Sequence, residues 1–271
     1  PVVLIVPGSG PTDRDGNSPL GVAAVPYALL AHALARQGIA SVRIDKRGLF
    51  GSAGAVADPN AVTIAGYGDD LMAWTGAIRE RLPMAAGHRR VIPLSHSEGG
   101  LVALAAMARL PAPAGLILVC APGRPLAQII RGQLRANPAN AALLDQAEAA
   151  LASLERGLRV DAGPLDPALR GLFALQVQGY LIDAFRHDPA ALIADGRGLV
   201  LNVQGGCDLQ MTPQDARRLA GAAPWAAYLS WSGRSGSRSR SSRSSVFART
   251  TMPRMTAVMA TLFALPASRS R

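Results

Sequence analysis

The sequence predicts an α/β protein built on a mostly parallel sheet, and two patterns carry that prediction. Short apolar runs recur at residues 2–6, 40–44, 91–94, 115–120 and 199–204. They are too brief for helices and too uniformly apolar for one-sided strands, which is how strands buried on both faces read. Between them, residues 22–37, 64–82 and the stretch after Ser97 show helical spacing of apolar residues. Strands alternating with helices place helices on both faces of a parallel sheet. A chain of 271 residues, 49% of them hydrophobic, is long enough for one such domain with an insertion.

The run at 2–6 breaks at Pro7-Gly8-Ser9-Gly10-Pro11, and a polar loop follows. Residues 22–37 form a helical pattern that stops at Gly38, and 40–44 is a second strand ended by DKRG. Asp13, Arg14 and Asp15 are expected to hold the first loop through ion pairs within it, the alternative for Arg14 being an acidic substrate group. Asp45, Lys46 and Arg47 could form a catalytic cluster, but three charges at a strand end followed by Gly48 and Gly51 read first as a turn tied by a structural ion pair. Residues 64–82 carry Asp69 and Asp70 early and Arg79 and Arg81 late, the order a helix dipole favours. From 124 to 195 the strand rhythm stops, and 128–134, 140–157 and 169–185 are helical patterns separated by Pro and Gly. Helices placed between two strands of one sheet make an insertion over its carboxyl edge, expected to serve as a lid. Phe173, Tyr180, Ile182 and Phe185 either line a pocket there or, as helical spacing implies by default, pack on the sheet. The sheet resumes at 199–204, Thr212 and Pro213 open a helix, and 225–231 is the final strand. The expected organisation is a core over residues 1–123, the helical lid insertion over 124–195, the rest of the core over 196–232, and a tail over 233–271.

A net charge of +10 points to a polyanion until its distribution is followed. Residues 234–271 hold eight arginines and no acid, which leaves the preceding chain at +2. Nucleic acid is therefore expected as a partner only through the tail. Lys46 is the sole lysine among 28 basic residues, a bias read as GC-rich coding. Cys120 and Cys207 make neither a disulfide framework nor a zinc site, and both are expected as buried free thiols at strand ends. No metal or organic cofactor is expected. No apolar run reaches the roughly eighteen residues of a membrane span, so a soluble protein, cytoplasmic or exported, is expected. The chain opens without Met on what reads as an interior strand, so upstream sequence, with a signal peptide among the candidates, is expected.

The chemistry concentrates in VIPLSHSEGGLVALAAMARL, residues 91–110. An apolar strand, a sharp turn at Ser97 and a helix with Leu101, Leu104, Ala105 and Ala108 on one face follow one another. Ser95 and Gly99 flank Ser97 at two residues on either side, matching the nucleophile-elbow pattern G-x-S-x-G except that Ser95 stands for the first glycine. Small residues are needed there because bulkier groups would collide across the strained turn. The helix starts at the serine, so the backbone N–H of Glu98 is placed to meet a developing oxyanion. The loop after the first strand is the natural source of the second donor, with Ser9 the choice and Gly10 next; the plainer reading is a glycine-rich turn without a role. Asp208 comes after a strand and before a helix, which makes it the candidate acid. The order Ser then Asp leaves histidine to follow last.

PGSGPTDRDGNS, DKRG, SHSEGG and GGCDLQMTPQDARRLA together resemble a branch of bacterial α/β-hydrolase fold serine hydrolases, described as esterases or serine aminopeptidase-like hydrolases. The resemblance runs over residues 1–231, more loosely through the lid. It implies Ser97 as nucleophile, Asp208 as triad acid, the amides of Ser9 and Glu98 as oxyanion hole, and a small-molecule ester or other acyl compound as substrate. It also implies two strands ahead of residue 2 and a triad histidine in the loop after the last strand. The chain has His32, His88, His96 and His187, and none after Asp208. At that place stands GRSGSRSRSSRSS, whose composition cannot bury a core and is expected to be disordered. We read it as out-of-frame translation or a truncated gene, the rival being an Arg/Ser segment that binds nucleic acid on a catalytically dead hydrolase. His96 is expected to point away from the site, and His187 to reach it only if the lid folds inward. The expectation is a carboxylesterase-type serine hydrolase impaired by loss of its histidine.

Overall fold

The computed structural model describes residues 1–82, 90–110, 115–196 and 198–231, so His88 and the Arg/Ser segment from residue 232 lie outside the described residues. Six strands, β1 (Val2–Val6), β2 (Ala40–Arg43), β3 (Val91–His96), β4 (Leu116–Val119), β5 (Val200–Gly205) and β6 (Ala227–Trp231), form one sheet in the order β2-β1-β3-β4-β5-β6. Every pairing is parallel. The helices α1 (Pro26–Ala35), α2 (Ile64–Arg81), α3 (Glu98–Ala106) and α9 (Pro213–Ala222) connect strands, while α4 (Leu126–Ala136), α5 (Leu144–Glu155), α6 (Pro167–Arg170), α7 (Leu175–Phe185) and α8 (Pro189–Ala194) all fall between β4 and β5.

The uninterrupted apolar strands feed two cores. Val2, Leu4 and Val6 of β1 meet Leu71 and Ile78 of α2, Leu104 of α3 and Leu219 of α9. Val3 and Ile5 turn the other way, onto Tyr27, Leu30 and Leu34 of α1 and Ile129 of α4. Burial on both faces removes the need for polar alternation. The helices between β4 and β5 have a core of their own, which includes Leu151, Leu154, Leu169, Phe173 and Phe185, with Tyr180 and Ile182 packed against it. Phe173, Tyr180, Ile182 and Phe185 pack within this helical core rather than on the sheet, which corrects the expectation that they would lie against it. This helical unit is fastened to the start of α2: Asp183 accepts from the Ile64 N–H at 2.7 Å, and Gly179 lies so close to the Asn60 carbonyl that a Cβ would collide with it.

Several boundaries differ from the sequence expectation for local reasons. The helix expected from residue 22 starts at Pro26, because Ser18 and Val22 pair as an antiparallel bridge and Val25 adopts a left-handed φ of 43°. The pattern over 169–185 divides into α6 and α7, and the one from 140 begins as a 3-10 turn over Pro138–Leu143. Cys120 is buried, but Cys207 is exposed in the turn after β5, so the expectation of two buried thiols is corrected for Cys207. Arg14 and Asp15 pair with the second strand and its end rather than within the loop, while Asp13 holds the loop from inside by accepting from the Asp15 and Asn17 N–H groups at 2.8 Å. Asp45 receives the Arg14 N–H at 2.7 Å together with its guanidinium, and Arg43 pairs with Asp15.

One carboxylate joins the far side of the sheet. Asp215 is fully buried and accepts from Arg124 Nε at 2.9 Å and Nη2 at 2.7 Å, from Gly123 N–H, and from the Thr212 N–H and hydroxyl in a capping box at the start of α9. Burial alone would raise its pKa, but Arg124 and these donors hold it below the usual range. A depressed carboxylate contributes stability that is present above its unfolded pKa and lost as pH falls through the folded value. Asp215→Ala is therefore expected to cost about 3–5 kcal/mol at neutral pH, with the deficit narrowing in acid; a urea midpoint unchanged at neutral pH would contradict this.

Candidate active site

The strand order reverses at β1: the chain steps from β1 outward to β2 and then returns to β3 on the other side. In open parallel sheets such a point leaves a crevice beyond the carboxyl ends of the strands, where ligands bind. Two segments meet there, the chain leaving β1 at Pro7 and the turn at Ser97 between β3 and α3.

Ser97 has φ 52° and ψ −122°, a conformation that costs a non-glycine residue about 1–3 kcal/mol and persists only where its surroundings over-determine it. They do so here. The Ser97 N–H donates to the Val119 carbonyl at 2.9 Å, and its own carbonyl accepts from Gly100 at 2.8 Å. A Cβ on Gly99 would lie 2.7 Å from the Pro7 carbonyl oxygen, and one on Gly100 2.5 Å from the Ala121 Cβ. Both positions therefore need glycine for α3 to press against the ends of β1 and β4. Ser95, the non-glycine member of the motif, is fully buried and its hydroxyl finds no partner among the described residues, a loss of about 1–3 kcal/mol that glycine would not incur.

Beside the serine, a Cβ built on Gly8 would stand 3.1 Å from the Ser97 Cβ and 3.1 Å from His96 Nδ1. The N–H of Ser9, next along this loop, and that of Glu98, the first of α3, donate to no described residue, as expected of loop and helix-start amides. The loop is tied down by a contact that sequence reading missed. Tyr27, on α1, accepts the Gly8 N–H at 3.2 Å on its hydroxyl oxygen and reaches His96 Nδ1 at 2.8 Å. Burial lowers the His96 pKa, with the Asp208 charge opposing, and the ring is held on the α1 side.

Asp208 follows β5, and its Oδ1 accepts from Gln210 at 2.9 Å and Met211 at 3.1 Å. Its charge reaches both His96 and Cys120, and the Cβ position of Gly205 lies 3.8 Å from the Asp208 Cβ and from the Cys120 Sγ. Ser97, Glu98, Ser9 and Asp208 thus share one sheet edge. Ser97 Oγ has no hydrogen bond to any described residue, and the other described histidines are placed elsewhere: His32 is exposed on α1, and His187 Nε2 lies 3.8 Å from Asp183. Among the described residues no group of three or more His, Cys, Asp or Glu could hold a metal ion, and no helix is long and apolar enough to cross a membrane. A cavity of about 230 Å³, lined by Pro7, Lys46, Tyr67, Leu71, Trp74 and Val102, opens nearby, with neither Ser97 nor Asp208 in its wall.

The two thiols offer a check on this edge. Burial, with a contribution from the Asp208 charge, pushes the Cys120 thiol up to about 12, whereas Cys207 stands in solvent. Only thiolates react readily with disulfide reagents. The native chain is expected to consume one equivalent of an aromatic disulfide, and none after Cys207→Ser; two equivalents reacting without denaturant would mean that the edge is open.

The sequence profile described as "Serine aminopeptidase, S33" matches residues 20–164, more than half of the chain. No curated protein sequence matches it. Among solved structures, a thermophilic esterase from Thermogutta terrifontis with malate bound is 18% identical with a TM-score of 0.57, over 97% of this chain and 89% of that one. An enol-lactonase from Burkholderia xenovorans is 19% identical with a TM-score of 0.54, over 97% and 91%. A lipase-esterase related protein from Clostridium acetobutylicum is 12% identical with a TM-score of 0.56, over 96% and 93%. At such identities these likenesses show the fold alone, and that fold is the α/β-hydrolase one.

Proposed function

The chain belongs to the serine aminopeptidase S33 family of α/β-hydrolases, and on that premise we propose that it is a serine hydrolase of carboxylesterase type acting on a small-molecule ester. Ser97 is the nucleophile, Asp208 the triad acid, and the amides of Ser9 and Glu98 the oxyanion hole; the helices from residue 124 to 195 are the lid that shapes the substrate pocket. The observation that carries this reading is the strained, positive-φ Ser97 between β3 and α3, at the switch point, with those two amides unengaged.

In the reaction, Ser97 Oγ attacks the ester carbonyl, the two amides receive the charge that develops on its oxygen, and the alcohol leaves to give an acyl-serine that water then hydrolyses. Both steps need a base to take a proton and return it. A histidine oriented by the acid does this in the triad, and the 271 residues contain none after Asp208. We therefore take the activity of this chain to be impaired. A second reading rests on the eight arginines of 234–271, which would bind nucleic acid electrostatically; its affinity should then fall steeply with salt and vanish when that segment is deleted.

Loss of one triad member costs about 10⁴ to 10⁶ in rate, while the oxyanion hole retains some 10³ over water. Hydrolysis of p-nitrophenyl acetate by the chain is expected barely above background, and added imidazole is expected to raise it beyond the imidazole-only rate unless Ser97 is replaced by Ala. Robust turnover without imidazole, abolished by Ser97→Ala and by His187→Ala, would show that the lid histidine is the base.

A further inference from the structure

Behind the serine turn lies an ion pair that the proposed chemistry does not use. Lys46 Nζ donates to Glu98 Oε1 at 2.8 Å, and the two side chains are only 6% and 9% exposed. The ammonium also lies 5.3 Å from the centre of the Tyr67 ring, over its face, where a cation is attracted by the ring electrons. Taking two charges out of water is seldom repaid by their attraction, so stability is a weak reason for such a pair.

Two further observations set it apart. Every other basic residue of the chain is arginine, and arginine is also the usual choice for buried ion pairs, because its planar fork meets a carboxylate at two points. The one place where lysine is kept is the one where a compact charge fits between a single carboxylate oxygen and an aromatic face. Secondly, the helical unit packs against the same tyrosine. Tyr180 of α7 stacks edge-on against Tyr67, and its buried hydroxyl, without a partner among the described residues, is held high by burial and by the Glu98 charge. Glu98 is thus held by Lys46 from the end of β2, the ammonium is backed in turn by Tyr67 and Tyr180, and Glu98 is the residue next to Ser97 in the strained turn.

Resting on the serine-hydrolase reading, we infer that Lys46 is a positioning residue that acts through the Glu98 carboxylate to keep the Glu98 amide aimed at the oxyanion. The side chain and the amide belong to one residue, so fixing the carboxylate fixes the rotation of the first turn of α3. The pair supplies part of the over-determination that a positive-φ serine needs.

Phenylboronic acid tests this without a catalytic base: the Ser97 oxygen adds to boron, its proton passes to water or buffer, and boron becomes a tetrahedral anion that mimics the oxyanion intermediate. Its dissociation constant and the ¹¹B signal of its tetrahedral form would be measured for the native chain, Ser97→Ala, Lys46→Met, Glu98→Gln and the double variant Lys46→Met/Glu98→Gln, each shown to be folded by its thermal transition. Affinity and tetrahedral signal are expected to be lost in Ser97→Ala and to weaken at least tenfold in Lys46→Met. The double variant should also bind at least tenfold more weakly than the native chain, but no more weakly than the worse single one, because both changes break the same link. It leaves no charge buried alone, so it decides the matter even where Lys46→Met does not fold. Native-like boronate binding in the folded double variant, with loss in Ser97→Ala, overturns this inference alone. Binding that Ser97→Ala leaves unchanged overturns the serine reading and this inference with it.

Discussion

A single backbone conformation governs the architecture around it. For Ser97 to sit at φ 52°, the strand before it must end at the sheet edge, and the helix after it must begin within van der Waals contact of the neighbouring strands. Gly99 and Gly100 make that contact against Pro7 and Ala121, and the hydrogen bond from Ser97 to Val119 ties the turn to β4. The cost of the strain, with that of the unpartnered Ser95 hydroxyl, is a few kcal/mol at most. It is offset by the two apolar cores that hold β1, β3 and β4 on both faces.

Charges complete what the apolar core begins. Loops at a sheet edge cannot bury much surface, and here they are cross-linked by ion pairs between segments far apart in the chain: Arg14 with Asp45, Arg47 with Asp70, Lys46 with Glu98, Arg124 with Asp215. The exposed ones contribute little each. The buried ones, Lys46–Glu98 and Arg124–Asp215, fix geometry more than they add stability, since removing one partner strands the other. The Tyr27 hydroxyl does the same with neutral groups, joining Gly8 to His96.

The fold was legible because its signals are local. Continuous apolar runs gave the strands, and Thr212-Pro213 marked the start of α9 at the right place. The turn at Ser97 followed from small residues at fixed spacing. Boundaries failed where a loop bond outweighed periodicity, as at Val25, or where one pattern held two helices, as over 169–185. The partners of Tyr27 and Lys46 were not legible, because a hydrogen bond across 69 residues or an ion pair across 52 leaves no periodic trace. Cys207 was misjudged because a turn residue beside a buried strand reads, from sequence, like the strand's own end.

The central proposal is that Ser97 is the reactive group of this chain and that none of the described histidines serves it as base. Intact-mass spectrometry with peptide mapping, after exposure to an alkyl fluorophosphonate, measures this most directly. A slow, single phosphonyl adduct confined to Ser97 and accelerated by imidazole is the result expected. An adduct on another residue, or one on Ser97 that forms rapidly without imidazole, would contradict the claim.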